Sequence, residues 1–329
     1  MMFPSNLYLA AFCSAWAVAF FSLPIWRIWC GRNGFLDDPG QRKIHAEPVP
    51  LAGGLTVLTA LLLPLIVAVA ILKFGWLGEA SAAPLGHGFE QRAGQLLAIA
   101  LGAIGMTVVG LLDDRIELRP ASKFIAQLLI AGGVAAAGVR ITLFVPLPLF
   151  SYVITILWLL TIVNAFNFMD NMNGLCGGLG AIGAAWFGGI AAYHGQYLVA
   201  LLAFLTVGAL MGFLPHNFPR ARAFLGDSGS HLVGYLLAIM AILPHFHSEQ
   251  HPQPLAVLLP LFILAVPLGD LAWVVMLRLR LGKPFYLGDT NHLSHRLVRL
   301  GLSKTTTVML IWLLSVAIGS IAVLLLREF

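Results

Sequence analysis

Long apolar runs separated by short polar breaks dominate the chain. Ten of these runs predict helices, over approximately 7–29, 51–73, 92–112, 122–139, 149–166, 174–193, 196–214, 229–246, 254–276 and 304–326. A helix needs roughly 20 apolar residues to cross the hydrocarbon core of a bilayer. Lipid also excludes spans whose backbone groups go unpaired. The expected fold is therefore an all-α polytopic membrane protein of about ten transmembrane helices, in one integral-membrane domain over 1–329. No internal repeat, linker or low-complexity tract divides the chain, and its outer loops are short.

Composition agrees with the pattern. Hydrophobic residues make up 59% of the 329, charged residues only 10%, and mean hydropathy is +0.90. A soluble domain carries about 25% charged residues. The first apolar run has no Lys or Arg ahead of it, the first cation being Arg27. A cleavable leader places its charge in front, so this run is expected to be a permanent first helix entering from outside. The three cysteines are scattered and form no CxxC, which excludes a disulfide framework and a metal knuckle.

The net charge of +5 points to nucleic acid only if the cations share one surface for another reason. Membrane topology supplies the simpler cause. With the first helix entering from outside, the segments 27–50, 113–123, 167–173, 215–228 and 277–304 are cytoplasmic and hold fifteen of the 19 Lys and Arg. That split obeys the positive-inside rule. It predicts both termini on the periplasmic or extracellular side, a multi-pass protein of the inner (plasma) membrane, and no nucleic-acid partner.

The acids follow the same side, although the rule says little about them. Asp37, Asp38, Glu47, Asp113, Asp114, Glu117, Asp170, Asp227, Asp270 and Asp289 are ten of the 14 carboxylates, all at or near the cytoplasmic end. A metal and phosphate site on that face would gather them.

Five polar clusters lie there. The first, Asp37 to Gly54, carries Arg42, Lys43 and His45 as phosphate donors and Gly53-Gly54 for close backbone approach. Its bland alternative is an ordinary cationic loop. Asp113-Asp114-Arg115, at the end of the third run, is an adjacent acid pair that needs a cation or donor. Arg115 could supply that without any catalysis. In the third cluster Asn164, Asn167 and Asp170 recur every three residues, aligning along one helix side, with Asn171 and Asn173 following. Such a stripe either satisfies neighbouring helices or contacts a nucleotide and a metal-bound phosphate.

In the fourth, Gly226-Asp227-Ser228-Gly229-Ser230, a serine could cap the next helix, whose free N–H groups suit an anion. Asp227 beside it is the candidate metal ligand, since Mg²⁺ takes one or two carboxylates and fills the rest with water and phosphate. The fifth, Asp289 to Arg299, places His292, His295, Arg296 and Arg299 on one basic helical face. The alternative there is an amphipathic helix resting on anionic lipid.

These clusters, in this order, resemble the polyprenyl-phosphate N-acetylhexosamine-1-phosphate transferase family over Asp37 to Arg299. Asp113-Asp114 resembles its acidic pair, Asn164 to Leu175 its NxxNxxDGxDGL element, Gly226 to Ser230 its GDxGS element, and His292 to Arg296 its histidine element. The resemblance implies Mg²⁺ or Mn²⁺, a UDP-N-acetylhexosamine donor, undecaprenyl phosphate as acceptor and release of UMP. It implies Asp113, Asp114 and Asp170 as catalytic, Asp227 as metal ligand, and Arg42, Lys43, His45, Asn164, Asn167, Asn173, His292, His295 and Arg296 as substrate contacts.

Three positions depart from the family pattern. Asn171 stands for a glycine, Asn173 for a carboxylate and Ser294 for a histidine. The absence of a run of consecutive histidines favours the UDP-GlcNAc branch over a lipid I-forming translocase. A transporter is the non-enzyme alternative, but transporters place polar sites near the midplane in paired repeats. The sequence leaves the oligomeric state open, a homodimer among the options.

Overall fold

The computed structural model describes residues 5–37, 48–74, 79–143, 145–244, 254–284 and 290–325. Twelve α-helices account for most of them: α1 Ser5–Asn33, α2 Gly53–Lys73, α3 Glu79–Ile116, α4 Pro120–Ala136, α5 Pro148–Met169, α6 Leu175–Tyr193, α7 Tyr197–Asn217, α8 Gly226–Ile242, α9 Leu259–Ile263, α10 Ala265–Arg280, α11 Leu293–Arg299 and α12 Lys304–Leu325. One two-residue pair, β1 (Leu36–Asp37) against β2 (Val49–Pro50), runs antiparallel.

Each of the ten predicted runs falls on a helix, but the runs are unequal. Seven helices are long and apolar enough to cross a membrane: α1, α2, α3 from Gln91, α5, α6, α7 and α12. The ninth run is broken. Ala256–Ile263 and Ala265–Arg280 meet at 68°, because Pro267 in the first turn of α10 would drive its ring into the carbonyl of Ile263, four residues back. Helices α4 and α8 have only 17 residues each. Residues 79–91, expected as an outer loop, extend α3 instead.

Helix α8 is the axis of the fold. Every residue from Ser228 to Ala241 is buried, as a helix apolar on all sides requires. Helices α2, α3, α5 and α6 pack around it. Glycines admit two of these contacts: a Cβ on Gly54 of α2 would strike Ser228 Oγ, and one on Gly110 of α3 would strike the Ser228 backbone. Outside this group, Gly208 and Gly212 of α7 lie against the Phe12 and Trp16 carbonyls of α1. That is the small-residue packing by which helices associate in lipid, where apolar area alone drives nothing.

The α7–α8 turn is tied to the start of α2. Phe224 N–H donates to Pro50 O at 2.9 Å, Gly53 N–H to Phe224 O at 2.9 Å, and Gly54 N–H to Leu225 O at 3.1 Å. The C-terminal ends of α3 and α5 meet the same N-terminus of α8 through Asp114 and Asn167.

Candidate active site

Asp227, in the first turn of α8, is the hub. Its Oδ1 accepts from Asn167 Nδ2 of α5 at 2.7 Å, and its Oδ2 from Lys123 Nζ of α4 at 2.8 Å. Lys123 also donates to Asp113 Oδ2 of α3 at 2.6 Å, while Asp113 Oδ1 accepts the Leu118 N–H at 2.8 Å. A single ammonium thus bridges carboxylates from two helices, and at this partly buried position their attraction is stronger than it would be in water. The sequence suggested Arg115 as counter-ion of the acid pair. Arg115 turns away instead, its Nη1 donating to Gly34 O at 2.8 Å.

Asp114 has a different task from its neighbour. Its carboxylate accepts the backbone N–H of Asp227 at 2.8 Å and of Ser228 at 3.1 Å. Asp170, just past α5, accepts the Gly226 N–H. The first three N–H groups of α8 therefore go to two acidic side chains. This corrects two expectations. The serines do not cap α8, since the helix begins at Gly226 and places them inside its first turn. Nor are those N–H groups free for a phosphate, because the chain's own carboxylates hold them. Gly226 has φ +72° and lies so close that a Cβ would sit 2.8 Å from Asp114 Oδ2, which only glycine accommodates.

Burial, followed by the nearby charges of Asp227 and Asp114, pushes the Asp170 carboxyl well above the ordinary carboxylate range. Four carboxylates gather here, and two of them, Asp113 and Asp227, share the Lys123 ammonium. Among the described residues no group of three His, Cys, Asp or Glu forms a ready-made ligand set. Mg²⁺ does not ask for one. A cation already bridges Asp113 and Asp227, and two carboxylates that share one cation are a donor set that suits a divalent ion.

The stripe on α5 divides by depth. Asn167 reaches the hub and also Ser230 Oγ at 3.0 Å. Asn164, one turn deeper, spends its amide on Gln127 Oε1 at 3.0 Å and Leu160 O at 2.8 Å. Gln127 in turn meets His231 Nε2 at 3.3 Å. Asn173 is partly buried and donates to Pro219 O at 3.2 Å.

The basic face expected for the fifth cluster is likewise split. His292 precedes α11 and is buried, its Nδ1 2.6 Å from Asp270 Oδ2 of α10. Arg296 stacks over Trp273 at 4.7 Å, and Arg299 Nη1 donates to Thr290 O at 2.8 Å. Burial first, then the charges of His292, Arg299 and Lys304, lowers the His295 pKa. Ser294 Oγ donates to Asn171 Oδ1 at 2.7 Å, so two positions that depart from the family pattern pair with each other. Arg42, Lys43 and His45 lie outside the described residues. Sequence reasoning missed Lys123 as a site residue, and with it Gln127.

Comparison with known proteins shows the family. A profile of glycosyl transferase family 4 matches residues 96–245, which contain α4, α5, the acid pair and Asp227. A probable undecaprenyl-phosphate N-acetylglucosaminyl 1-phosphate transferase of Bacillus subtilis is 30% identical over 303 residues, covering 90% of this chain and 78% of that protein. The chain belongs to glycosyl transferase family 4. Other proteins similar to it include the decaprenyl-phosphate N-acetylglucosaminephosphotransferase of Mycobacterium tuberculosis, 32% identical over 323 residues (90% of this chain, 77% of that one). The Escherichia coli undecaprenyl-phosphate alpha-N-acetylglucosaminyl 1-phosphate transferase is 28% identical over 312 residues (88% and 76%). The family 4 match excludes the transporter alternative as the reading of this polar cluster.

Proposed function

We propose that this family 4 member transfers N-acetylglucosamine-1-phosphate from UDP-N-acetylglucosamine to undecaprenyl phosphate at the cytoplasmic face of the inner membrane, releasing UMP. The observation that carries the reading is the Lys123 ammonium joining Asp113 and Asp227 across two helices, beside Asp170. The names of the similar proteins supply the polyprenyl acceptor and the GlcNAc-phosphate group. The distribution of cations supplies the orientation, with both termini outside.

The reaction needs little covalent work from the protein. An oxygen of the lipid phosphate attacks the β-phosphorus of the donor, the bond from that phosphorus to the bridging oxygen breaks, and UMP leaves with the electron pair. A phosphate monoester has a second pKa near ~6, so the acceptor is already mostly ionised at neutral pH. Positioning and charge neutralisation are then the main tasks. Asp227 with Asp113 would hold Mg²⁺ or Mn²⁺, which supplies positive charge for the pyrophosphate. Lys123 offers the same charge from the chain itself. Asn167 and Asp114 fix Asp227 in place, and Asp170 adds acid to the cation site. His295 and Arg296, with Arg42, Lys43 and His45, offer donors to phosphate oxygens, and the His292 imidazole offers a lone pair to any proton left on the acceptor phosphate.

Purified protein with UDP-GlcNAc, undecaprenyl phosphate and Mg²⁺ tests this directly. UMP release that depends on the lipid is the expected result. No UMP with UDP-GlcNAc would sink the reading, and UMP only with UDP-MurNAc-pentapeptide would reassign the enzyme to lipid I formation.

A further inference from the structure

Asp270 belongs to none of the sequence clusters, yet it is buried within the bent α9–α10 segment. An ionisable side chain at such depth costs free energy unless it is paired, and it marks function by default. Both of its oxygens are engaged: Oδ2 with His292 Nδ1 at 2.6 Å, and Oδ1 with the Leu293 N–H at 2.6 Å. The carboxylate accepts, so Nδ1 of His292 donates, and in the neutral ring Nε2 then carries the lone pair. Nε2 is the ring nitrogen that Asp270 does not hold. The ring lies edge-on to Phe168, with centroids 5.5 Å apart, two residues before Asp170. Next along the chain, Ser294 holds Asn171, the residue after Asp170.

We infer that Asp270 is the positioning residue of the reaction, fixing the tautomer and direction of His292 so that only Nε2 faces the transferred phosphate. This rests on the transferase reading above. The logic is that of a carboxylate behind a working imidazole, where the far nitrogen can act only if the near one is held. The His292–Asp270 contact is too deep to be a solvated surface contact. The second hydrogen bond, to Leu293, makes the start of α11 part of the same clasp. His292 thus differs from His295 and Arg296, which Asp270 does not hold.

Asp270→Asn separates positioning from folding, because it keeps shape but has one accepting oxygen instead of two. If that oxygen stays on Leu293 N–H, the amide NH₂ faces His292 and forces the proton to Nε2. The test uses full-length protein labelled with ¹⁵N-histidine, with His292→Ala identifying the His292 signals. Wild type should show protonated Nδ1, and Asp270→Asn should move the proton to Nε2. In the activity assay, Asp270→Asn should lower kcat by about 10- to 100-fold, the range for groups behind a functional ligand, with the KM for UDP-GlcNAc little changed. In a His292→Ala background it should cost nothing further. An unchanged tautomer overturns the inference, whatever the activity shows. So does an equal loss with and without His292. A wild-type enzyme that forms no lipid-linked product defeats the transferase reading instead, while the spectra still decide whether Asp270 sets His292.

Discussion

Asp114 accepts the backbone N–H of Asp227 at 2.8 Å, although 113 residues separate them in the chain. The two adjacent acids of α3 therefore do different work. Asp113 faces the cation, and Asp114 holds the helix that presents Asp227. Hydrogen bonds from backbone to a charged acceptor contribute about 1.5–3 kcal/mol each. Asp114→Ala should lower stability by about 2–4 kcal/mol, since two such bonds go and two buried N–H groups are orphaned. Asp113→Asn should abolish activity with little thermal shift. Thermal unfolding in detergent, run beside the activity assay, separates the two.

Lys123 is the counter-ion of both Asp113 and Asp227. Lys123→Met leaves these carboxylates without a cation, and removing one partner of a buried pair is strongly destabilising. The variant should unfold several degrees below wild type in metal-free buffer and lose activity. Mg²⁺ should then raise its melting temperature more than that of wild type, because ligand stabilisation grows with affinity. An equal Mg²⁺ response in both proteins would argue against a shared cation site.

Asp170 binds its proton more tightly folded than unfolded, owing to burial and then to Asp227 and Asp114. A raised folded pKa gives stability that is intact below the unfolded value of about 3.9 and is lost as pH rises toward the folded one. Asp170→Asn removes that loss. Without metal the variant should melt higher than wild type, with a gain that is larger at pH 8 than at pH 5, while activity disappears. A gain that shrinks as pH rises would contradict the account.

Gly110→Ala tests how α3 meets α8. Its new Cβ would collide with the Ser228 backbone, which no rotamer change relieves. Overpacking costs about 1–3 kcal/mol, and here it also shifts Asp227 against Asp113. Folded protein yield and activity should fall together. Gly132→Ala, with nothing within 4 Å, should leave both near wild type.

What the sequence made legible is local. The acid pair, the Asn164–Asp170 stripe and the Asp227 turn were each visible because their residues are contiguous or share a helical period, and the structure brings Asp113, Asn167, Asp170 and Asp227 together. Lys123 and Asp270 were opaque for the opposite reason. Each is a single polar residue whose meaning depends on a partner far along the chain, 104 residues for Lys123 with Asp227 and 22 for Asp270 with His292. The histidine face was read as periodic, but His292 precedes its helix and turns inward to Asp270. Every apolar run falls on a helix, yet hydropathy could not see the 68° bend before α10. The apolar run is continuous there, and only the backbone constraint of Pro267 breaks it.

The central claim is that a phosphoryl-sugar, rather than a sugar alone, moves to the lipid. Donor labelled with ³²P at its β-phosphorus, given with undecaprenyl phosphate and Mg²⁺, follows that atom. The account predicts label in the organic-solvent-extractable lipid, one UMP released for each label transferred, and neither with Asp227→Asn. Label recovered as UDP, or left in intact UDP-sugar, would contradict it.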